Sequence, residues 1–233
     1  MPSRLAALAS TLTPVSTMTS LVRSLALVSA LTVAGLGLNG CQSTRSPALK
    51  QGANASVSSE SAAITIDDAR AQISATTAAL RNLVDRPQDT AAQYKVVLTE
   101  FAKLRDHAAK IAAAADSVRA KSDDYLADWA KQVSLIQNAE LRSAALNRRG
   151  EVSAKLQAVY KSYQDVKAAY APFEADLANI RAAVGSDLSA AGLVAVRPFV
   201  AQATAHAEPV KASMLKLAGE FRAVSAALQP GGQ

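Results

Sequence analysis

The sequence predicts an all-α protein: an elongated antiparallel bundle of three long coiled-coil-like helices, preceded by a shorter helix. In three separate stretches, apolar side chains recur at alternating spacings of three and four residues. This spacing is typical of long helices that pack at shallow angles. The chain beyond residue 64 is also rich in alanine and poor in glycine, which favours helices. The period-two alternation of strands is absent.

Residues 1–40 are predicted to be a signal peptide. The apolar stretch from Leu25 to Leu38 follows the basic residue Arg23, and its about 14 residues are too few for a membrane span. The segment Leu38-Asn39-Gly40-Cys41 resembles the lipobox, although Asn39 departs from the usual small residue. We therefore expect cleavage before Cys41 and lipidation of its thiol. The alternatives are an ordinary secretory signal and a retained transmembrane helix.

The predicted location is the cell envelope, as an outer-membrane lipoprotein that faces the periplasm. Gln42 follows the cysteine, whereas an Asp at this position tends to hold Gram-negative lipoproteins at the inner membrane. Cys41 is the only cysteine, so its acylation would leave no thiol for a disulfide. The start codon stays open between Met1 and Met18.

Residues 41–63 are predicted to form a lipidated cysteine and a flexible tether, because small polar residues dominate there. Residues 64–229 are predicted to form the helical bundle. Its first, shorter helix is expected to begin at a Thr65 cap and to end at Arg86-Pro87. Its apolar stripe consists of Ile66, Ala69, Ile73, Thr76, Leu80 and Leu83.

The three long helices are separated by two predicted breaks. The first lies near Asn138–Ser143, where the repeat fades, and the second at Gly185-Ser186-Asp187, which supplies a stop and a new N-cap. The long stripes run over residues 94–136, 152–184 and 193–228. The large residues expected to face inward are Phe101, Trp129, Tyr163, Phe173, Leu217 and Phe221.

Three short motifs point to a family. They are Asp123-Asp124-Tyr125-Leu126-Ala127-Asp128-Trp129, Asn138-Ala139-Glu140-Leu141-Arg142 and Arg148-Arg149. This pattern resembles the DUF2959 family of bacterial proteins, in which a proline recurs in the following helix, matched here by Pro172. The resemblance spans most of Ile64–Leu228, although the chain is richer in alanine and poorer in charge than a typical member. It implies an all-helical, coiled-coil-like periplasmic protein and no activity.

Motifs for catalysis, cofactors and metals are weak. A GxGxxG match at residues 35–40 lies inside the leader and lacks the strand that a dinucleotide site needs. His107 and His206 flank the helical seam without His or Cys partners at helical spacing, so we expect solvated flanks and no metal. Asp123, Asp124 and Asp128 are interpreted as a solvated acidic face, with a carboxylate site as the alternative. No cofactor is expected.

The predicted envelope location makes nucleic acid an unlikely partner, and the mild net charge permits an anionic envelope partner. Arg4 and Arg23 precede Cys41, so 23 basic and 19 acidic side chains follow, a net charge of +4. Such a mild balance permits contact with anionic lipid or cell-wall polymer. One end of the bundle carries a candidate partner-docking cluster, whose arginines can bind phosphates or carboxylates, or can instead complement helix ends or solvate the tip. It consists of Arg142, Arg148 and Arg149.

These features predict a lipid-anchored periplasmic scaffold or adaptor without catalytic activity. We expect the chain to bind the membrane through lipidated Cys41. We expect it to bind a protein or another envelope component through the arginines. Homo-oligomers are compatible with the sequence. The alternative is a module that binds a lipid or another hydrophobic ligand between helices. A continuous alanine seam would favour the scaffold, whereas an apolar pocket at a kink near Pro172 or Pro209 would favour the ligand binder.

Overall fold

The computed structural model describes residues 47–86 and 88–229 of the chain. These residues form four α-helices and no strand, so the all-helical prediction is confirmed. The helices are α1 (Pro47–Asp85), α2 (Thr90–Ser134), α3 (Ala139–Ser186) and α4 (Ala190–Leu228). The predicted signal peptide and Cys41 lie outside the described residues.

The four helices pack as an antiparallel bundle in which α1 touches α2 and α4, and α3 touches α4. Residue numbers that rise along α1 fall along α4: the Ser56 hydroxyl donates to the Ser225 carbonyl oxygen, and Arg197 donates to the Val84 carbonyl oxygen. At the far side of the bundle, the Tyr94 hydroxyl donates to the Arg181 carbonyl oxygen. Consecutive helices therefore run in opposite directions, and α4 runs antiparallel to α1.

The predicted flexible tether is wrong from residue 47 onward. This segment is the first half of α1, which has 39 residues and is as long as α4. Its helical stripe is made of small side chains, which allow close approach of neighbouring helices. A Cβ on Gly52 would lie 3.0 Å from the Tyr125 ring of α2. The other buried small residues of this segment are Ala55, Ser56, Ser59, Ala62 and Ala63.

The helix ends also differ from the sequence predictions. Thr65 caps nothing, because it lies inside α1 and donates to the Ser61 carbonyl oxygen. Asn138 caps α3 by accepting from the Leu141 amide, so the α2–α3 break lies slightly earlier than predicted. Ser189, and not the Gly185–Asp187 segment, caps α4 by accepting from the Gly192 amide. The predicted end of the first helix at Arg86 is confirmed.

The core follows the predicted stripes closely. Phe101, Phe173, Leu217 and Phe221 are buried, as predicted. Trp129 and Tyr163 are only partly buried, and each packs against the rim of the core. At the end of α2 the buried position is the apolar Val133 and not the neighbouring polar Gln132, which is exposed.

A charged cluster joins α1 to α4. Asp67 lies 2.6 Å from an Arg222 guanidinium nitrogen and 3.0 Å from that of Arg70. The hydrogen bond from Arg222 holds the pKa of Asp67 below its usual value. Both side chains of the Asp67–Arg222 pair are more than a third exposed, so the pair contributes modestly.

We expect this cluster to make stability depend on acid pH. A lowered carboxylate pKa stabilises the fold above the unfolded-state value of about 3.9, and the contribution is lost as the pH falls through the folded-state value. Asp67→Asn should therefore cost less than about 1 kcal/mol at pH 7 and flatten the loss of stability below pH 4. Urea unfolding at a series of pH values from 7 to 3 measures the free energy of unfolding of each variant. A double-mutant cycle with Arg222→Gln, alone and combined with Asp67→Asn, shows whether the ion pair causes the pH dependence. An unchanged slope for Asp67→Asn would contradict it.

Candidate functional site

The side of the bundle between α2 and α3 is open. These two helices contact each other far more sparsely than the other neighbouring pairs do. A groove of about 540 Å³ lies between them, lined by residues 115–126 of α2 and residues 153–163 of α3. We call it the α2–α3 groove. It lies at the level where α1 carries its small side chains, because Lys121 of α2 donates to the Ser58 hydroxyl there.

The floor of the α2–α3 groove is apolar. Val118 and Val159 are buried at its base, and Leu126, Leu156 and Tyr163 line it while remaining partly buried. Burial raises the pKa of the Tyr163 phenol, and the nearby Asp116 carboxylate adds to this rise. The floor therefore offers an apolar surface to whatever enters the groove.

One polar atom on this floor has no hydrogen-bond partner in the described part of the chain. Ser122 is 1% exposed, and its hydroxyl is buried without a partner. Leaving a buried polar group unpaired costs about 1–3 kcal/mol. Because this oxygen is fully buried, a bound molecule could pair with it only if the side chains that line the groove moved aside.

The rim of the groove is polar and carries both signs of charge. The Arg119 guanidinium lies 6.0 Å from the ring centre of Tyr160 and 3.9 Å from the Asp123 carboxylate. Tyr160 is exposed although it lies on the groove side of α3. An apolar floor with a polar rim is the usual build of a small-molecule site.

A smaller cavity of about 180 Å³ follows the groove toward the middle of the bundle. Tyr163 lines both spaces, and His107 and Tyr170 line the smaller one. The His107 Nδ1 atom is buried without a hydrogen-bond partner. Burial raises the pKa of Tyr170 to about 12, with Glu174 adding to the shift. The apolar surface thus continues inward past the groove.

The predicted solvated flank is only partly right for the histidines, because both are half-buried. The His206 Nδ1 atom lies 2.6 Å from the Asp176 carboxylate on α3, so this ring helps to join α3 to α4. Within the described residues, no group of three or more His, Cys, Asp or Glu side chains is placed to hold a metal ion.

The three candidate aspartates do not share one cleft. Asp123 and Asp124 are exposed, while Asp128 pairs with Lys131 at 2.8 Å. The hydrogen bond from Lys131 lowers the pKa of Asp128, and one from Gln51 adds to this. Trp129 stacks obliquely on Tyr125, with ring centres 5.3 Å apart.

The three arginines predicted as a docking cluster all bind backbone carbonyl groups. Arg142 donates to the Ile136 and Gln137 carbonyl oxygens in the α2–α3 connection. Arg148 donates to the Ala227 carbonyl oxygen near the end of α4, and Arg149 donates to that of Leu126 in α2. Each guanidinium has five N–H groups, so each retains donors for a partner.

Comparisons with known proteins were made at the level of families, single sequences and solved structures. The chain matches no family model, no curated protein and no solved structure. The resemblance to the DUF2959 family therefore stays a prediction. None of the helices in the described ranges has the length and apolarity that crossing a bilayer requires.

The α2–α3 groove does not lie where the sequence predicted a pocket, which was at a kink near Pro172 or Pro209. The groove instead lies between residues 115–126 and 153–163. Two signals were present in the sequence. Ser122 is a polar residue at a core position of the α2 stripe, and Tyr160 is an aromatic residue just outside the α3 stripe. Each of these residues indicates that the helix face between α2 and α3 is not packed as tightly as the other helix interfaces.

Proposed function

We propose that this chain is a lipid-anchored protein of the bacterial cell envelope, without catalytic activity, that binds an apolar molecule in the α2–α3 groove. The best-fitting ligand is the hydrocarbon chain of a fatty acid or lipid. The observation that carries the proposal is the groove itself, with its apolar floor and polar rim. Its volume of about 540 Å³ falls within the range of about 300–1,000 Å³ that ligand sites occupy.

The features of the groove favour an amphiphile over a fully apolar ligand. The floor would take the hydrocarbon, and a charged head would meet Arg119 at the rim. No described residue of the groove pairs a nucleophile with a base, since its acids, Asp116 and Asp123, lie at the exposed rim. Binding without chemistry is therefore the function proposed.

The envelope location is proposed from the leader, the lipobox-like segment at Cys41 and Gln42 after it. Lipidation of Cys41 would attach the chain to the outer membrane, on its periplasmic side. The unbroken spacing of three and four residues along α2 and α4 supports a coiled-coil-like packing of elongated helices. A protein anchored in this way would keep its ligand site close to the membrane that supplies the lipid.

Ser122→Leu tests the groove. The larger side chain fills the floor and removes the hydroxyl, so binding of a fluorescent C18 fatty acid should weaken by about tenfold or more. The measurement is a fluorescence titration of the full chain, with circular dichroism to check helicity. The matched control is Ser117→Leu, which makes the same change at an exposed position of α2 outside the groove.

Equal binding by Ser122→Leu and the unaltered chain would contradict the ligand proposal. So would equal weakening by Ser117→Leu, because the probe would then be reporting nonspecific adsorption to the helix surface. If the unaltered chain fails to bind the fatty acid at all, the groove is not a fatty-acid site.

A scaffold or adaptor is the second candidate. It is favoured by the arginines at the α2–α3 connection, which retain N–H donors after binding their carbonyl groups. In this case an acidic or phosphate-bearing envelope partner would dock on Arg142, Arg148 and Arg149. Capture of one partner in cells that is lost on replacing all three with glutamine, together with no fatty-acid binding, would favour this candidate.

A further inference from the structure

The connection between α2 and α3 forms a tip at the same end of the bundle as the start of α1. We define the hairpin tip as residues 132–147. Gln51, near the beginning of α1, hydrogen-bonds to Asp128 just before this tip, and Gly52 lies against Tyr125. The start of α1 at Pro47 therefore lies at the same end of the bundle as the hairpin tip.

Within the described residues, no part of α4 lies beside the hairpin tip. Arg148 of α3 donates to the Ala227 carbonyl oxygen, and α4 ends one residue later, at Leu228. Residues 139–147 of α3 thus continue for about 13 Å beyond the last turn of α4, at 1.5 Å per residue. Side chains on this part of α3 have no α4 surface on which to pack.

The hairpin tip nevertheless carries three leucines. Leu135, Leu141 and Leu146 are 68%, 64% and 48% exposed. Arg142 follows Leu141 in the sequence, and its guanidinium is fixed by the carbonyl oxygens of Ile136 and Gln137. Exposed leucines beside a basic side chain are typical of segments that lie in a membrane interface, where the leucines enter the acyl boundary and the cation meets phosphates.

The short distance in sequence between Cys41 and the start of α1 limits how far the leucines can lie from the proposed anchor. Cys41 precedes Pro47 by six residues, and a fully extended chain of that length reaches at most about 20 Å. If Cys41 is acylated, the bilayer that holds its acyl chains must lie within this distance of the start of α1. That is the end of the bundle at which the hairpin tip lies.

We infer that the hairpin tip rests on the phospholipid bilayer, with Leu135, Leu141 and Leu146 in its interface and Arg142 toward lipid phosphates. The inference rests on the proposed Cys41 anchor and adds a second membrane contact to it. Two contacts would fix the orientation of the bundle, whereas an acyl anchor alone leaves it free to rotate. The α2–α3 groove would then open sideways, about 9 Å or more above the tip along α2.

Photocrosslinking from single positions tests this orientation. A photoreactive amino acid replaces Leu141 in the full chain, expressed in a Gram-negative host. The matched control replaces Val194, which is 62% exposed at the opposite end of the bundle. Illuminated membranes should give phospholipid adducts from position 141 in at least about fivefold higher yield than from position 194.

Three other outcomes would overturn the inference. They are equal lipid yields from the two positions, adducts of position 141 with a second copy of the chain, and adducts of position 141 with another protein. Fractionation of the same cells separates this result from the anchor. A chain that stays in the membrane fraction through Cys41 but gives no lipid adduct at position 141 refutes the tip contact alone. A chain absent from the membrane fraction refutes the anchor and the tip contact together.

Discussion

Leu217→Ala is expected to lower the free energy of unfolding by about 2–5 kcal/mol. Leu217 is fully buried in α4, where it packs in the common core of the four helices. Removing three carbon atoms there loses their transfer energy and leaves a cavity that the long helices can close only partly. Urea unfolding followed by circular dichroism measures the loss.

Leu215→Ala is the matched control. It makes the same change two residues earlier on the same helix, where the side chain is 53% exposed. Its cost should stay within about 0.5 kcal/mol. A loss below about 1 kcal/mol for Leu217→Ala, or equal losses for both variants, would mean that α4 packs loosely and that the described core is wrong.

Cys41→Ser is expected to abolish membrane anchoring. Serine lacks the thiol that would be acylated, and the apolar surface of a two-chain or three-chain lipid anchor far exceeds that of the hairpin tip. In a Gram-negative host the variant should therefore leave the membrane fraction or accumulate with its leader uncleaved. The measurement combines fractionation with the intact mass of the purified chain.

Ser43→Ala serves as the control, because it alters a small residue next to the cleavage region while leaving Cys41 in place. It should be processed and retained like the unaltered chain. The anchor is refuted if Cys41→Ser keeps both normal processing and membrane retention. An unaltered chain whose mass shows a free Cys41 thiol would refute it as well.

The buried faces of α2, α3 and α4 could be predicted because large apolar residues mark them. A stripe such as Val97, Phe101 and Leu104 has no other reason to recur at helical spacing. Most of the predicted inward residues are buried in the structure. The pattern becomes unreliable where side chains are partly exposed, as at Trp129 near the end of α2.

The first half of α1 escaped prediction because its stripe is made of small residues. The stripe that begins at Ile66 extends backward with the same spacing of three and four, through Ala62, Ser59, Ala55 and Gly52. Composition alone cannot tell these residues from a flexible linker, since serine, alanine and glycine suit both. Their spacing carries the helical signal, and the close approach to Tyr125 explains why small side chains are needed there.

The α2–α3 groove could not be predicted, because a stripe shows which face of a helix is buried but not how closely its partner approaches. The seam between α2 and α3 has the same spacing as the closed seams. It is open because α2 packs mainly on α1, and α3 packs mainly on α4. Ser122 at a core position of α2 and Tyr160 just outside the α3 stripe are the two features of the sequence that indicate this difference.

Photoaffinity mapping shows whether the α2–α3 groove is the site at which a fatty acid binds. A C16 fatty acid with a diazirine in its chain is illuminated with the full protein, and the labelled peptides are identified by mass spectrometry. We expect the labels to concentrate on residues 115–126 and 153–163, and an excess of unlabelled fatty acid to suppress them. Labels spread evenly over the exposed faces of the four helices, or confined to the hairpin tip, would contradict this expectation.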